Sequence, residues 1–130
     1  MSDVKTFNNN IGEIFGFVGY SNALKSIVIT FRSSQNLKNW IVNIVTTLTP
    51  YLHCSKCKVH TGFDAGFNMV KIQVRTLVKD LVKKYPEAEI IVNGHSLGGA
   101  LAILASVDLK LHIGKVSSVY TFGQPRVGNS

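Results

Sequence analysis

Cysteine, proline and acidic side chains are all scarce in this chain, and each shortage removes a class of protein. Two cysteines in 130 residues cannot staple a small disulfide scaffold. Three prolines leave room for long regular elements. Seven Asp plus Glu stand against fourteen Lys plus Arg, a net charge of +7 that favours anionic surfaces. The basic residues are dispersed, however, and no aromatic residues interleave with them for base stacking, so no nucleic-acid partner is expected. No apolar run approaches the roughly 18 residues that cross a bilayer, so no transmembrane segment is expected. Residues 1–10 are polar and lack the apolar stretch of a secretory signal. That start fits a cytosolic protein, a mature chain, or a start codon placed too far downstream.

The remainder reads as one continuous globular domain. Hydrophobic residues make up 45% of the chain, enough for a single core. No linker or repeat interrupts it, and the only low-complexity tract is Asn8-Asn9-Asn10. Residues 13–20 and 25–31 have strand character around the turn-prone Ser21-Asn22, and Ile27-Val28-Ile29 suits a central strand. Residues 33–52 read as a polar turn, a short helix carrying Trp40, Ile41 and Ile44, and a loop.

From 61 to 84, Phe63, Phe67, Val70, Val74, Leu77 and Leu81 step by four and three, and Pro86 follows, which predicts a long amphipathic helix. Lys71, Arg75, Lys79 and Lys83 form an i, i+4 stripe on it. The stripe is expected to be a solvated outer face, with attraction to an anionic lipid interface as the functional alternative. Then come a strand at 89–93, a helix from Leu97 to about His112 capped by Gly114, and a strand at 116–122. Helix, strand, helix, strand spells a right-handed crossover unit of an α/β fold with a mostly parallel sheet.

One turn in that pattern carries chemistry. The β-branched run 89–93 breaks into Gly94-His95-Ser96-Leu97-Gly98 and continues as helix. A side chain at the tip of so sharp a strand-to-helix turn is strained unless its neighbours two residues either side are nearly bare. Gly94 and Gly98 meet that condition around Ser96, and the helix start supplies free N–H groups and a dipole that suits an oxyanion. His95, next to Ser96 in a tight turn, points away from it and reads as structural, as does His60 at the entrance to the long helix. Asp108 and His112 lie within the helix after Ser96 and do not reach back over the turn.

Cys54 and Cys57 form one Cys-x-x-Cys flanked by His53 and His60. A local disulfide, two free thiols, a redox pair and a metal site all stay open, although zinc would need ligands the sequence does not obviously offer.

Four stretches, in order, resemble the class 3 lipase family, the fungal-type triacylglycerol lipases with an α/β-hydrolase fold. They are Phe31-Arg32-Ser33-Ser34 with Asn39-Trp40; Cys57-Lys58-Val59-His60-Thr61-Gly62-Phe63; Gly94-His95-Ser96-Leu97-Gly98-Gly99-Ala100-Leu101-Ala102; and Tyr120-Thr121-Phe122-Gly123-Gln124-Pro125-Arg126-Val127-Gly128-Asn129. The resemblance implies a partial α/β-hydrolase domain in which Ser96 is the nucleophile and Leu97 and Ser34 are the oxyanion donors. Ser33 stands where the family usually has Gly. It places a lid at 36–44, with Asn39, Trp40 and Ile41 in it and Asn43 where the family often has Asp. It implies a Cys54–Cys57 bridge in an exported protein, and secretion is the family habit. The family's triad Asp and His lie downstream of the Gly-Gln-Pro-Arg segment, past Ser130, which leads us to expect a truncated domain. No metal or organic cofactor is implied.

Residue chemistry supports the lid, because Trp40, Ile41 and Ile44 exposed together would suit an interfacial binder; the other reading packs Trp40 permanently in the core. The expected function is hydrolysis of lipid acyl esters through Ser96, with peripheral contact at a lipid interface. The alternative is a non-catalytic, lipase-derived lipid-binding or interaction protein.

Overall fold

A computed structural model describes residues 1–9, 14–32, 48–50, 58–95, 97–114, 116–122 and 127. Strands β1 (Ser2–Asn9), β2 (Ile14–Ser21) and β3 (Ser26–Arg32) open the fold. Two short strands follow, β4 (Leu48–Pro50) and β5 (Lys58–His60), then α1 (Thr61–Lys84), β6 (Glu89–His95), α2 (Leu97–His112) and β7 (Ser118–Phe122). The main sheet runs β1-β2-β3-β6-β7, and β4 pairs with β5 separately.

The sheet is mixed, and the change of sense marks the functional half. Strands β1, β2 and β3 pair antiparallel, whereas β3, β6 and β7 pair parallel. Antiparallel neighbours can be joined by short turns, but parallel ones need a crossover, and α2 supplies the one from β6 to β7. The β2–β3 turn is closed by the Leu24 N–H donating to Ser21 Oγ at 3.2 Å and by Ser26 Oγ donating to the Leu24 carbonyl at 2.9 Å.

Alternation along the strands sends one row of side chains under both helices. Ile27, Ile29 and Phe31 from β3, Ile14 and Val18 from β2, and Ile90 and Val92 from β6 are all buried. They meet Phe67, Val70, Val74, Val78 and Leu81 of α1 and Leu101, Leu104 and Leu109 of α2 in one cluster. Burying each such side chain contributes about 1.5–3 kcal/mol, so this layer is the main source of stability. Helix α1 has the expected bounds; Val78 joins its buried stripe and Leu77 is only partly buried.

The polar opening segment is itself a strand. Only Phe7 of β1 belongs to the buried core, so β1 has no apolar alternation to betray it. Its outer edge is satisfied by α1: Gln73 Nε2 donates to the Asn8 carbonyl at 3.0 Å, and the Asn8 N–H donates to Gln73 Oε1 at 3.3 Å. Residues 48–50, expected as loop, pair with β5 instead. The short helix expected nearby lies outside the described residues. Gly114 ends α2 as expected, with φ +93° and its N–H donating to the Leu109 carbonyl at 3.2 Å.

Candidate active site

Strand β6 ends at His95 and α2 begins at Leu97, leaving one residue, Ser96, between them. The flanking backbone is closed too tightly for any side chain. A methyl group on Gly94 would strike the Gly98 carbonyl, and one on Gly98 would strike the carbonyl of Phe31. The amino end of α2 therefore rests directly on the carboxyl end of β3. Register reinforces the contact, since Phe31 pairs with Gly94 in the parallel ladder. The end of β3 and the first turn of α2 therefore lie side by side.

The electrostatics of α2 suit an anion at this end. Its first turn has no acidic residue, while Lys110 and His112 sit in the last turn, where they complement the dipole. The N–H groups of the first turn lack partners within the helix, as at any helix start.

Leu97 supplies the first of those N–H groups, being the first residue of α2. Ser96, Ser34, Asn39, Trp40, Ile41, Cys54 and Cys57, and with them the lid and the Cys-x-x-Cys, lie outside the described residues. His60 closes β5 immediately before α1. His95 is exposed.

Asp108 and His112 belong to a different arrangement. The Asp108 side chain, 3% exposed, takes two hydrogen bonds from Arg75, Nε at 2.7 Å and Nη2 at 2.6 Å. Those bonds raise the pKa of the Arg75 guanidinium above its ordinary value. His112 Nδ1 lies 2.9 Å from the Asp108 carbonyl oxygen and 3.5 Å from its carboxylate. This fork joins α1 to α2, so Arg75 leaves the solvated stripe expected from sequence and turns inward. Lys79 and Lys83 are exposed, and Lys71 is half-buried. The buried pair had a readable signal, an acid set among Leu104, Ala105 and Leu109 on an apolar helix.

On the sheet face away from the helices, an open hollow of about 650 Å³ is lined by residues including Phe15, Phe17, Arg32, Asn93, His95 and Phe122. It contains aromatic surface, a guanidinium and an imidazole, and no carboxylate among the described lining residues. Among the described residues no group of three or more His, Cys, Asp or Glu is placed to hold a metal ion. No helix among them is long and apolar enough to cross a membrane.

Comparison with known proteins gives the same picture. A lipase from Rhizomucor miehei is 37% identical, the match covering 97% of this chain and 36% of that protein. The crystal structure of a lipase from Rhizopus microsporus var. chinensis superposes with a TM-score of 0.91 at 39% identity, covering 98% of this chain and 47% of that one. The triacylglyceride lipase structure from Rhizomucor miehei gives 0.90 at 36% identity, over 96% and 49%. The chain thus spans between about a third and a half of the length of these relatives. Their shared α/β-hydrolase fold is the fold described above, here in part. The model of the family described as lipase (class 3) matches residues 28–130, and the chain belongs to that family.

Proposed function

We propose that these residues carry the nucleophile and oxyanion side of a serine ester hydrolase acting on acyl glycerols, with Ser96 as the acyl nucleophile. The supporting observation is the seating of Gly98 on the Phe31 carbonyl, with Gly94 beneath it. That packing brings two separated stretches of chain to one place. In this reading Ser96 Oγ attacks the ester carbonyl carbon. The electron pair moving onto the carbonyl oxygen is met by the Leu97 N–H and the Ser34 hydroxyl, and collapse of the tetrahedral species expels the alcohol.

The proton of Ser96 needs a base, and neither Asp108 nor His112 provides it. They stand 11 and 15 residues after Leu97 in α2, or about 16 and 22 Å along its axis. Arg75 also holds the Asp108 carboxylate. By the family pattern the base and its orienting acid follow residues 123–126, and the present residues form one portion of an α/β-hydrolase domain.

The relatives support this substrate class, since one of them is named a triacylglyceride lipase. The aromatic surface that Phe15, Phe17 and Phe122 give the hollow suits apolar ligands. The test is hydrolysis of tributyrin and p-nitrophenyl butyrate by the native product bearing Ser96. Ser96→Ala is expected to lower turnover by about 10⁴ to 10⁶. Absence of turnover, with vesicle binding that Ser96→Ala leaves unchanged, would replace this reading with the lipid-binding one.

A further inference from the structure

Phe7 belongs to a row of residues crossing the sheet. It opposes Gly16 of β2, Gly16 opposes Phe31 of β3, and Phe31 pairs with Gly94 of β6. Two large side chains thus alternate with two bare positions. Neighbouring strands lie roughly 4.8 Å apart, so side chains two strands apart begin at about twice that separation. Gly16 leaves the gap between them open, and the Phe7 and Phe31 rings close over it to 5.1 Å, edge to face at 64°. A methyl group on Gly16 would enter the Phe7 ring. Both rings are 1% exposed, and Phe31 also meets Phe67 of α1 at 6.5 Å.

The row ends at the candidate active site. The carbonyl of Phe31, whose ring Phe7 supports, is the group on which Gly98 rests. We propose that Phe7 is a positioning residue for the oxyanion hole. Its ring sets, through Phe31, where the end of β3 stands relative to the amino end of α2. This inference rests on the proposed function, because the donor it aligns is the Leu97 N–H at the start of α2. Phe7 lies ahead of the stretch the family match covers, which begins at residue 28. The physical basis is close packing: a void under Phe31 lets the strand end sink toward it, away from Gly98. A shift of about 1 Å in an aligned catalytic group costs on the order of a hundredfold in rate.

The experiment compares Phe7→Ala, Phe7→Leu and Val78→Ala in the Ser96-bearing product. Val78 is fully buried in the same core but lies toward the other end of α1. With p-nitrophenyl butyrate, Phe7→Ala is expected to lower kcat by about ten- to a hundredfold with KM unchanged. Phe7→Leu should recover most of that loss, and Val78→Ala should keep its kcat despite a lower melting temperature. Equal kcat losses in Phe7→Ala and Val78→Ala would overturn the proposal.

Backbone amide shifts of Gly98 and Arg32 give a readout independent of turnover. They should move in Phe7→Ala and stay in place in Val78→Ala. Unmoved amides in Phe7→Ala would overturn the proposal whatever the activity. Moved amides in a protein that hydrolyses nothing would uphold the packing relay and remove the reading of Ser96 as nucleophile.

Discussion

The two ends of the sheet are held by opposite means. At the carboxyl end of β3 and β6, backbone meets backbone: Gly98 on the Phe31 carbonyl, Gly94 under Gly98, with buried rings behind. At the other end, side chains do the fastening. Asp3 of β1 accepts hydrogen bonds from Tyr85 Oη at 2.5 Å and from Lys84 Nζ at 2.9 and 3.0 Å. Tyr85 stacks on Tyr20, their rings 3.8 Å apart and 8° from parallel. Solvated side chains can rearrange at small cost, whereas backbone packed on backbone moves only if the core beneath it gives way. Tight backbone packing is therefore concentrated at the carboxyl end of β3 and β6, and the opposite end tolerates change.

The sharpest way to break this contrast is Gly98→Ala. The new methyl group meets a backbone carbonyl that cannot rotate aside, so a loss of about 3 kcal/mol or more in urea unfolding is expected. Gly114→Ala is its natural control, for nothing lies within reach of a methyl there, and its cost is only the strain of φ +93° in a non-glycine residue, about 1 kcal/mol. Equal costs for the two substitutions would show that the seating of α2 on β3 is not tight.

Next in size is the fork between the helices. Arg75→Met strands the Asp108 carboxylate in a buried site. Removing one partner of a fully buried pair costs about 3–5 kcal/mol; with the Arg75 side chain 21% exposed, about 2–3 kcal/mol is expected from denaturant melts. The double substitution Arg75→Met with Asp108→Leu should recover most of it, since no charge is then left buried. Failure to recover would mean that packing, and not charge, couples α1 to α2.

The smallest effect belongs to the Asp3 tie. Hydrogen bonds from Tyr85 and then Lys84 hold the Asp3 carboxyl below its ordinary value of 3.8. A carboxyl that is a stronger acid folded than unfolded stabilises the fold above the unfolded value and loses that contribution as pH falls through the folded one. Between neutral pH and pH 5 the tie is therefore constant, and it weakens only below about 3.8. Asp3→Asn should flatten that acid limb and speed amide exchange in β1, while barely moving the neutral melting temperature. An unchanged acid limb would show that the tie contributes nothing.

Legibility followed local pattern strength. Helix α1 stands out because its apolar residues keep helical spacing through 24 residues. The strand-to-helix turn stands out because a strand run ending at 93 and a helix run from Leu97 meet across Gly94-His95-Ser96, with Gly98 just beyond. Strand β1 is not legible in the sequence because an edge strand with a single core residue has no alternation to read. Arg75 reads as one of the solvated residues for a related reason: an i, i+4 stripe fixes which side chains share a helix face, but a partner 33 residues away decides what that face meets.

By itself the sequence determined the element types of the crossover half, the strand-to-helix turn around Ser96 and membership of a lipase family, because these depend on periodicity and on short motifs with local steric reasons. Only the tertiary structure decided that Phe31 bears the foot of α2, that Phe7 reaches Phe31 across a bare position, and that Asp108 belongs to Arg75. Those contacts join residues far apart in the chain, and they exist only once strand register and helix packing have set the distances between them.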